Sequence, residues 1–211
     1  MRYAEIIREA IDITNNPAFW RWFGHSKVVH PDGTPMVVYH GTFSDFTAFD
    51  PEKANAEGGA FFFIRDADVH RHAPGAKSAS GYATGGAGGN VMPVYLKMER
   101  PYVTGFDEEL SDDATDADVN DWVQRQSKFD KQFDNEQHKY AYYREAIRFA
   151  RRNGHDGVIF KRITDDRNHH DIFSMPSDVF AVFEPSQIKS AIANRGSFDP
   201  NNPRITETNI V

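Results

Sequence analysis

Met36-Val37-Val38-Tyr39-His40-Gly41-Thr42 is an apolar, β-rich run that closes on a histidine, a glycine and a threonine. It reads as a strand whose end holds the His40 ring on rigid backbone, with a glycine after it that a ligand can approach closely. Upstream, Val28-Val29 is separated from it by the turn-forming His30 to Pro35, and the two runs predict a hairpin. Earlier still, residues 3–14 place Ala4, Ile7, Ala10 and Ile11 at helical spacings and stop before Asn15-Asn16-Pro17. Pro17 to Phe23 predicts a second, short helix that packs Phe19, Trp20, Trp22 and Phe23 and ends at Gly24.

Downstream the pattern stays mixed. A loop from Phe43 to Gly59 leads into Ala60-Phe61-Phe62-Phe63-Ile64, a buried strand. Helical segments are expected within 66–83, and Gly85 to Asn90 is a flexible loop. Val91 to Met98 alternates as a strand, with Pro93 marking an edge or bulge. Glu136 to Asn153 is a long helix presenting Tyr140, Tyr143, Ile147 and Ala150, stopped by Gly154. Two more strands come after it, Asp156 to Lys161 and Val179 to Phe183. Helices and strands without regular βαβ alternation give an α+β fold. One domain is expected over residues 1–211, with 1–24 an N-terminal helical segment, 105–135 an acidic surface insertion and 197–211 a C-terminal tail lacking a core-forming pattern.

Composition narrows the chemistry. The 211 residues are 39% hydrophobic and 26% charged, with 17 Phe, 8 Tyr and 3 Trp, too aromatic and too mixed in sign for a disordered chain. The absence of Cys removes disulfides, thiolate metal sites and a cysteine nucleophile. The net charge of −7 comes largely from eight acidic residues between Asp107 and Asp121; the rest is nearly neutral. That excludes a polyanion binder of uniformly basic character, although Lys128/Lys131, Arg148/Arg151/Arg152 and Lys161/Arg162 could form a local basic face or solvated helix flanks. No run approaches 18 apolar residues and the first ten lack a signal-peptide core, so a soluble chain without a membrane anchor is expected.

Among candidate sites, His40 stands first, with a strand-end histidine satisfied by a neighbouring carbonyl as the plain alternative. His155, His169 and His170 with Asp171 hold the right atoms for a divalent metal, but no HExxH or HxH spacing, and read better as polar loop. The acidic stretch lacks the pattern of a calcium loop, and the glycines at 85–89 lack the lysine and the strand-helix context of a phosphate loop. No metal is expected. The run Phe61-Phe62-Phe63 reads as core or as an aromatic wall for a flat cationic ring, and one ring at least must face away from the others.

The segments FWRWFGHSKVV, PMVVYHGT, GGAFFF, NVMPVYLKMERP, NGHDGVIF, VFAVFEPSQIKSA and GSFDPNNP, in this order, cover roughly half the chain. Together they resemble an ADP-ribosyltransferase of the diphtheria-toxin and poly(ADP-ribose)-polymerase type, and more closely the transferase domains of bacteriophage polyvalent proteins. The resemblance implies a split β-sheet core with flanking helices. It implies that His40 donates to a ribose hydroxyl of NAD, that the Gly41 backbone pairs with the nicotinamide amide, and that Thr42 completes the motif. Phe61 stands at the position of a stacking tyrosine. Ser78, with Ser80 as its rival, and Tyr82 resemble the serine and the second aromatic wall. Aligned without a gap on Glu184-Pro185-Ser186-Gln187, the position of the catalytic glutamate is Val179. Asp178 could serve if the strand start is bulged, with Glu184 and Gln187 as weaker substitutes.

As to activity, the resemblance implies a mono-ADP-ribosyltransferase, a glycosyltransferase-class enzyme that cleaves the nicotinamide–ribose bond of NAD and modifies a host protein or nucleic acid. It also implies a phage- or toxin-related role and a cytoplasmic location after delivery into the host. A catalytically silent NAD- or nucleotide-binding module is the alternative, favoured by the missing glutamate; a metal-dependent hydrolase is the remote third.

Overall fold

The computed structural model describes residues 13–42, 45–54, 58–65, 90–106, 115–133, 136–163 and 177–207. Helix α1 is Pro17–Phe23. The Asn16 side chain accepts from the Ala18 N–H and Gly24 ends the helix at φ 58°. Phe19, Trp22 and Phe23 are buried, but Trp20 faces water at 47% exposure, its indole N–H donating to the Thr14 carbonyl. The strands are β1 (Val38–Thr42), β2 (Phe61–Arg65), β3 (Asn90–Leu96), β4 (Pro101–Gly105), β5 (Gly157–Ile163), β6 (Ser177–Val182) and β7 (Ile188–Ser190). Helices α2 (Asp116–Asp130) and α3 (Glu136–Arg152) lie between β4 and β5 in the chain.

These strands form one mixed sheet in the order β4-β5-β6-β2-β1-β3-β7, in which β4 and β5 run parallel and all other neighbours antiparallel. The fold is α+β, as expected; the sheet is continuous, and its shortest pairing is between β1 and β2. Strand β1 pairs with β3 along its whole length, from Val38 opposite Val94 to Thr42 opposite Asn90. With β2 it pairs only at Val38 and Tyr39. From His40 onward the two centre strands part.

Alternation along each strand sorts the side chains onto two faces. On one, α1 covers β1, β3 and β7 through Phe19, Trp22, Tyr39 and Tyr95, and α3 covers β2, β5 and β6 through Tyr143, Ile147, Phe160, Val179 and Ala181. On the other lie Val38, Phe61, Phe63, Val94, Ile159, Phe180 and Val182, covered by the loop at 45–54 and by Ile205. Among the described residues, helices therefore pack on one face and loops on the other, the cleft face.

Three expectations need correcting. The hairpin at Val28-Val29 forms but is shorter than expected: Val29 and Pro35 make a single antiparallel bridge, flanked by the Met36 N–H donating to the Val28 carbonyl at 3.1 Å and the His30 N–H donating to the Thr34 carbonyl at 2.8 Å. Pro101–Gly105, unforeseen, is an edge strand. The C-terminal tail does build core, since Phe198 packs among Phe19 and Trp22 and Ile205 is buried on the cleft face. Of the named cations, Arg148 pairs with Glu145, Arg151 lies over the Phe183 ring and bonds the Gly59 carbonyl, and Arg162 lies over Trp122. Strand β3 is an inner strand rather than an edge, and Pro93 sits where the β7 ladder ends, its carbonyl still accepting from the Ala191 N–H at 2.9 Å. The helical segments expected within 3–12 and 66–83 lie outside the described residues, as does most of the acidic run; α2 begins at its end with a Thr115/Asp118 capping box.

Candidate functional site

The parting of β1 and β2 puts His40 at the fork. Its Nδ1 lies 2.9 Å from the Phe62 carbonyl, standing in for the ladder bond that the two strands no longer make. A carbonyl only accepts, so Nδ1 carries the proton and Nε2 carries the lone pair. Burial holds the His40 imidazole below its ordinary pKa, with the Phe62 carbonyl pulling weakly the other way. Burial thus favours the neutral ring, and in that form Nε2 offers a hydroxyl a lone pair.

Around His40 the walls are aromatic. Phe49 lies 4.9 Å away in an edge contact, Phe63 at 5.5 Å and Phe46 at 6.4 Å, centroid to centroid. Phe61 is on the same face, 7% exposed, and its nearest ring is Phe49 at 5.1 Å. Phe49 thus stands between His40 and Phe61. Phe62 is the ring that turns away, 5.3 Å from Tyr143 on the helix side. Gly41 and Thr42 extend beyond His40 and are half-buried. Ser78, Ser80 and Tyr82 lie outside the described residues, so the second wall is not described.

Along the same face lies a charged row. Asp178 alternates with Phe180, Arg65 with Phe63 and Lys161 with Ile159, so all three share the face of His40. The Asp178 Oδ2 accepts from Arg65 at 3.3 Å and from Lys161 at 3.2 Å, and Oδ1 accepts from the Arg162 N–H at 3.2 Å. The bulge foreseen at the start of the Asp178 strand occurs in its neighbour. The register between β5 and β6 shifts between Phe160 and Ile163, and Arg162 takes a left-handed φ of 49°. His40 and Asp178 are two strands and one row apart, roughly 12 Å by strand spacing, so both can touch one dinucleotide but not one atom.

The remaining candidates separate cleanly. Val179 is fully buried on the opposite face, against α3. Glu184 is exposed at the far end of its strand. The Gln187 amide is a clasp: its oxygen accepts from Phe183 and Glu184 N–H, and its nitrogen donates to the Lys97 and Asp156 carbonyls, leaving little for a ligand. His155 bonds the Arg100 carbonyl beside β4, far from His40; His169 and His170 lie outside the described residues. Sequence reasoning did not single out Phe46, Phe49, Arg65 or Lys161 for the site. The last two were findable, since each ends an apolar run on the same side as Phe63 or Ile159.

Comparison with curated proteins and with solved structures returned no match. A family model described as ADP-ribosyltransferase in polyvalent proteins matches residues 30–198, from just before β1 through β7, and so contains the fork, the aromatic walls and the charged row. The chain belongs to the family of ADP-ribosyltransferases found in polyvalent proteins.

Proposed function

We propose that the chain is a mono-ADP-ribosyltransferase that breaks the nicotinamide–ribose bond of NAD and passes ADP-ribose to a protein or nucleic acid of a host cell, in a phage- or toxin-related role inside that cell. The observation that carries this reading is the fork at His40, where β1 leaves β2 and a neutral imidazole, Gly41 and Thr42 line the gap on the face that also bears Phe61 and Asp178.

Nicotinamide leaves as a neutral molecule, and the ribose carbon gains oxocarbenium character as it departs. His40 Nε2 accepts from a ribose hydroxyl of NAD and fixes the dinucleotide. Phe61, backed by Phe49, offers the pyridinium ring a stacking wall, with Tyr82 the proposed opposite wall and Ser78 the proposed partner of the amide. Asp178 is the carboxylate on the correct face for the developing charge. Two of its roughly four acceptor positions go to Arg65 and Lys161 and one to the Arg162 N–H, which leaves room on Oδ1 for a ribose hydroxyl. Val179, at the aligned glutamate position, turns toward α3 and supports single transfer over chain elongation.

The second reading, a nucleotide-binding module without turnover, is favoured by the two cations on Asp178, which offset the negative field an oxocarbenium needs. Incubation of the purified chain with labelled NAD, with and without bacterial lysate, separates the two. Covalent label that disappears in His40→Ala is the expected outcome; NAD binding with no label transferred would retire the transferase reading in favour of the silent module.

A further inference from the structure

Residues 196–207 form a strap that crosses β7 and reaches the cleft face. Lys189 on β7 is wholly buried, and its ammonium meets the Asn202 carbonyl at 3.0 Å, the Arg204 carbonyl at 2.9 Å and the Glu207 carboxylate. The other Glu207 oxygen accepts from the Ser197 hydroxyl at 2.7 Å and the Asp199 N–H at 3.2 Å. All three protons of one ammonium and both oxygens of one carboxylate are thus committed to the shape of a single stretch of chain. Away from water, such a set has few alternative arrangements in which every group is satisfied, so it fixes position.

The strap continues to the site. The Ser190 N–H donates to the Ile205 carbonyl at 2.8 Å, the Ile205 N–H donates to the Thr47 carbonyl at 2.9 Å, and Ala48 bridges Arg204. Thr47 and Ala48 lie between Phe46 and Phe49, the rings that close on His40 and, for Phe49, on Phe61. The loop at 45–54 belongs to no strand, so these bonds to the strap supply the ladder it lacks. The family match ends at Phe198, and the strap from Asp199 onward lies beyond it.

We propose that Lys189 is a positioning residue for the cleft: through Glu207 and the strap it sets where the loop bearing Phe46 and Phe49 rests against His40 and Phe61. Its consequence for catalysis rests on the cleft being the NAD site; its consequence for His40 does not. Phe46 and Phe49 supply part of the burial that disfavours the imidazolium, so loosening the strap admits water to the ring.

The experiment is an NMR titration of His40 in histidine-labelled protein, for the unaltered chain, Lys189→Met, Glu207→Gln and Ile147→Ala. Ile147 is fully buried on the helix side, so its variant is a destabilised control with an intact strap. Both strap variants are expected to move the His40 midpoint up toward the ordinary imidazole value of about 6.5, and the control to leave it in place. An unmoved midpoint in either folded strap variant overturns the proposal, as does an equal movement in the control. Should neither strap variant fold, hydrogen exchange in the unaltered chain decides: the amides of Ser190, Arg195 and Ile205 are expected to open together, and an Ile205 amide that opens alone overturns it. With NAD, KM is expected to rise several-fold with kcat changed less. Absence of turnover in the unaltered chain refutes the transferase reading and leaves the His40 result to be scored separately.

Discussion

Glu207 and Asp178 are both carboxylates withdrawn from water, at 8% and 6% exposure, and both meet cations, yet their surroundings differ in kind. The partner of Glu207 is Lys189, whose side chain is 0% exposed; the other groups bonded to the pair are the Asn202 and Arg204 carbonyls, which accept from Lys189, and the Ser197 hydroxyl and Asp199 N–H, which donate to Glu207. The partners of Asp178 are Arg65 and Lys161, whose side chains keep 32% and 28% exposure on the cleft face. The first cluster is closed and holds the chain to itself. The second meets solvent through its cations. Burial of an acid does not by itself distinguish a structural charge from a working one; access to its counter-charges does.

The largest effect is expected where the closed cluster is broken. Lys189→Met leaves Glu207 without its counter-charge and is expected to cost about 3–5 kcal/mol in denaturant unfolding. The same cluster has an acid signature. Burial pushes the Glu207 carboxyl up, but Lys189, Ser197 and the Asp199 N–H together outweigh that and hold it below the ordinary 4.5. Its stabilisation is therefore complete above 4.5 and is lost as pH falls through the lower folded value. Glu207→Gln should remove that part of the acid slope, and an unchanged slope would mean that the pair is not closed to water.

At the open cluster, Asp178→Asn is expected to cost less stability, about 1–2 kcal/mol, because Arg65 and Lys161 can turn to solvent. Its effect on labelled-NAD transfer is expected to be larger, on the order of 10²-fold in rate. Equal damage to folding and no damage to transfer would make Asp178 a second structural acid and erase the contrast. The smallest effect is expected at Glu184, exposed beyond the strand end: Glu184→Ala should stay within about 0.5 kcal/mol and change transfer less than Asp178→Asn does. The reverse order would place the reacting ribose at the other end of β6.

The parts of this molecule readable in advance are those whose cause is local. Pro17 and Gly24 bracket α1, Gly154 stops α3, and the aromatic run after Gly59 is a strand because nothing else accommodates it. The strand carrying His40 was readable for the same reason, although it runs on through Gly41 and Thr42 instead of ending at the histidine. What escaped depends on distant partners. Strand β4 opens on a proline, is half-exposed and owes its pairing to β5, more than fifty residues later. Phe46 and Phe49 are a lone pair spaced three apart in a polar loop, too few to establish a helical period, and they become a wall only by packing on each other, on His40 and, for Phe49, on Phe61 of another strand. The tail around Glu207 carries a buried charge whose partner lies on β7, which composition cannot reveal. The contrast between Val179 and Asp178 was visible as a problem of alignment; only the pairing of β6 with β2 and β5 assigns each to a face.

Strand β6 is buried along its entire length on both sides. Its residues serve two masters in strict rotation, one set answering to a helix and the other to the opening beside it. A lineage in which this chain drifts by a single insertion would therefore exchange a methyl for a carboxylate in both places at once, so the opening can be retuned only by replacing side chains and never by sliding the strand. Change on the face of His40 is in this sense tied to the survival of a helix packed on the opposite face of the sheet.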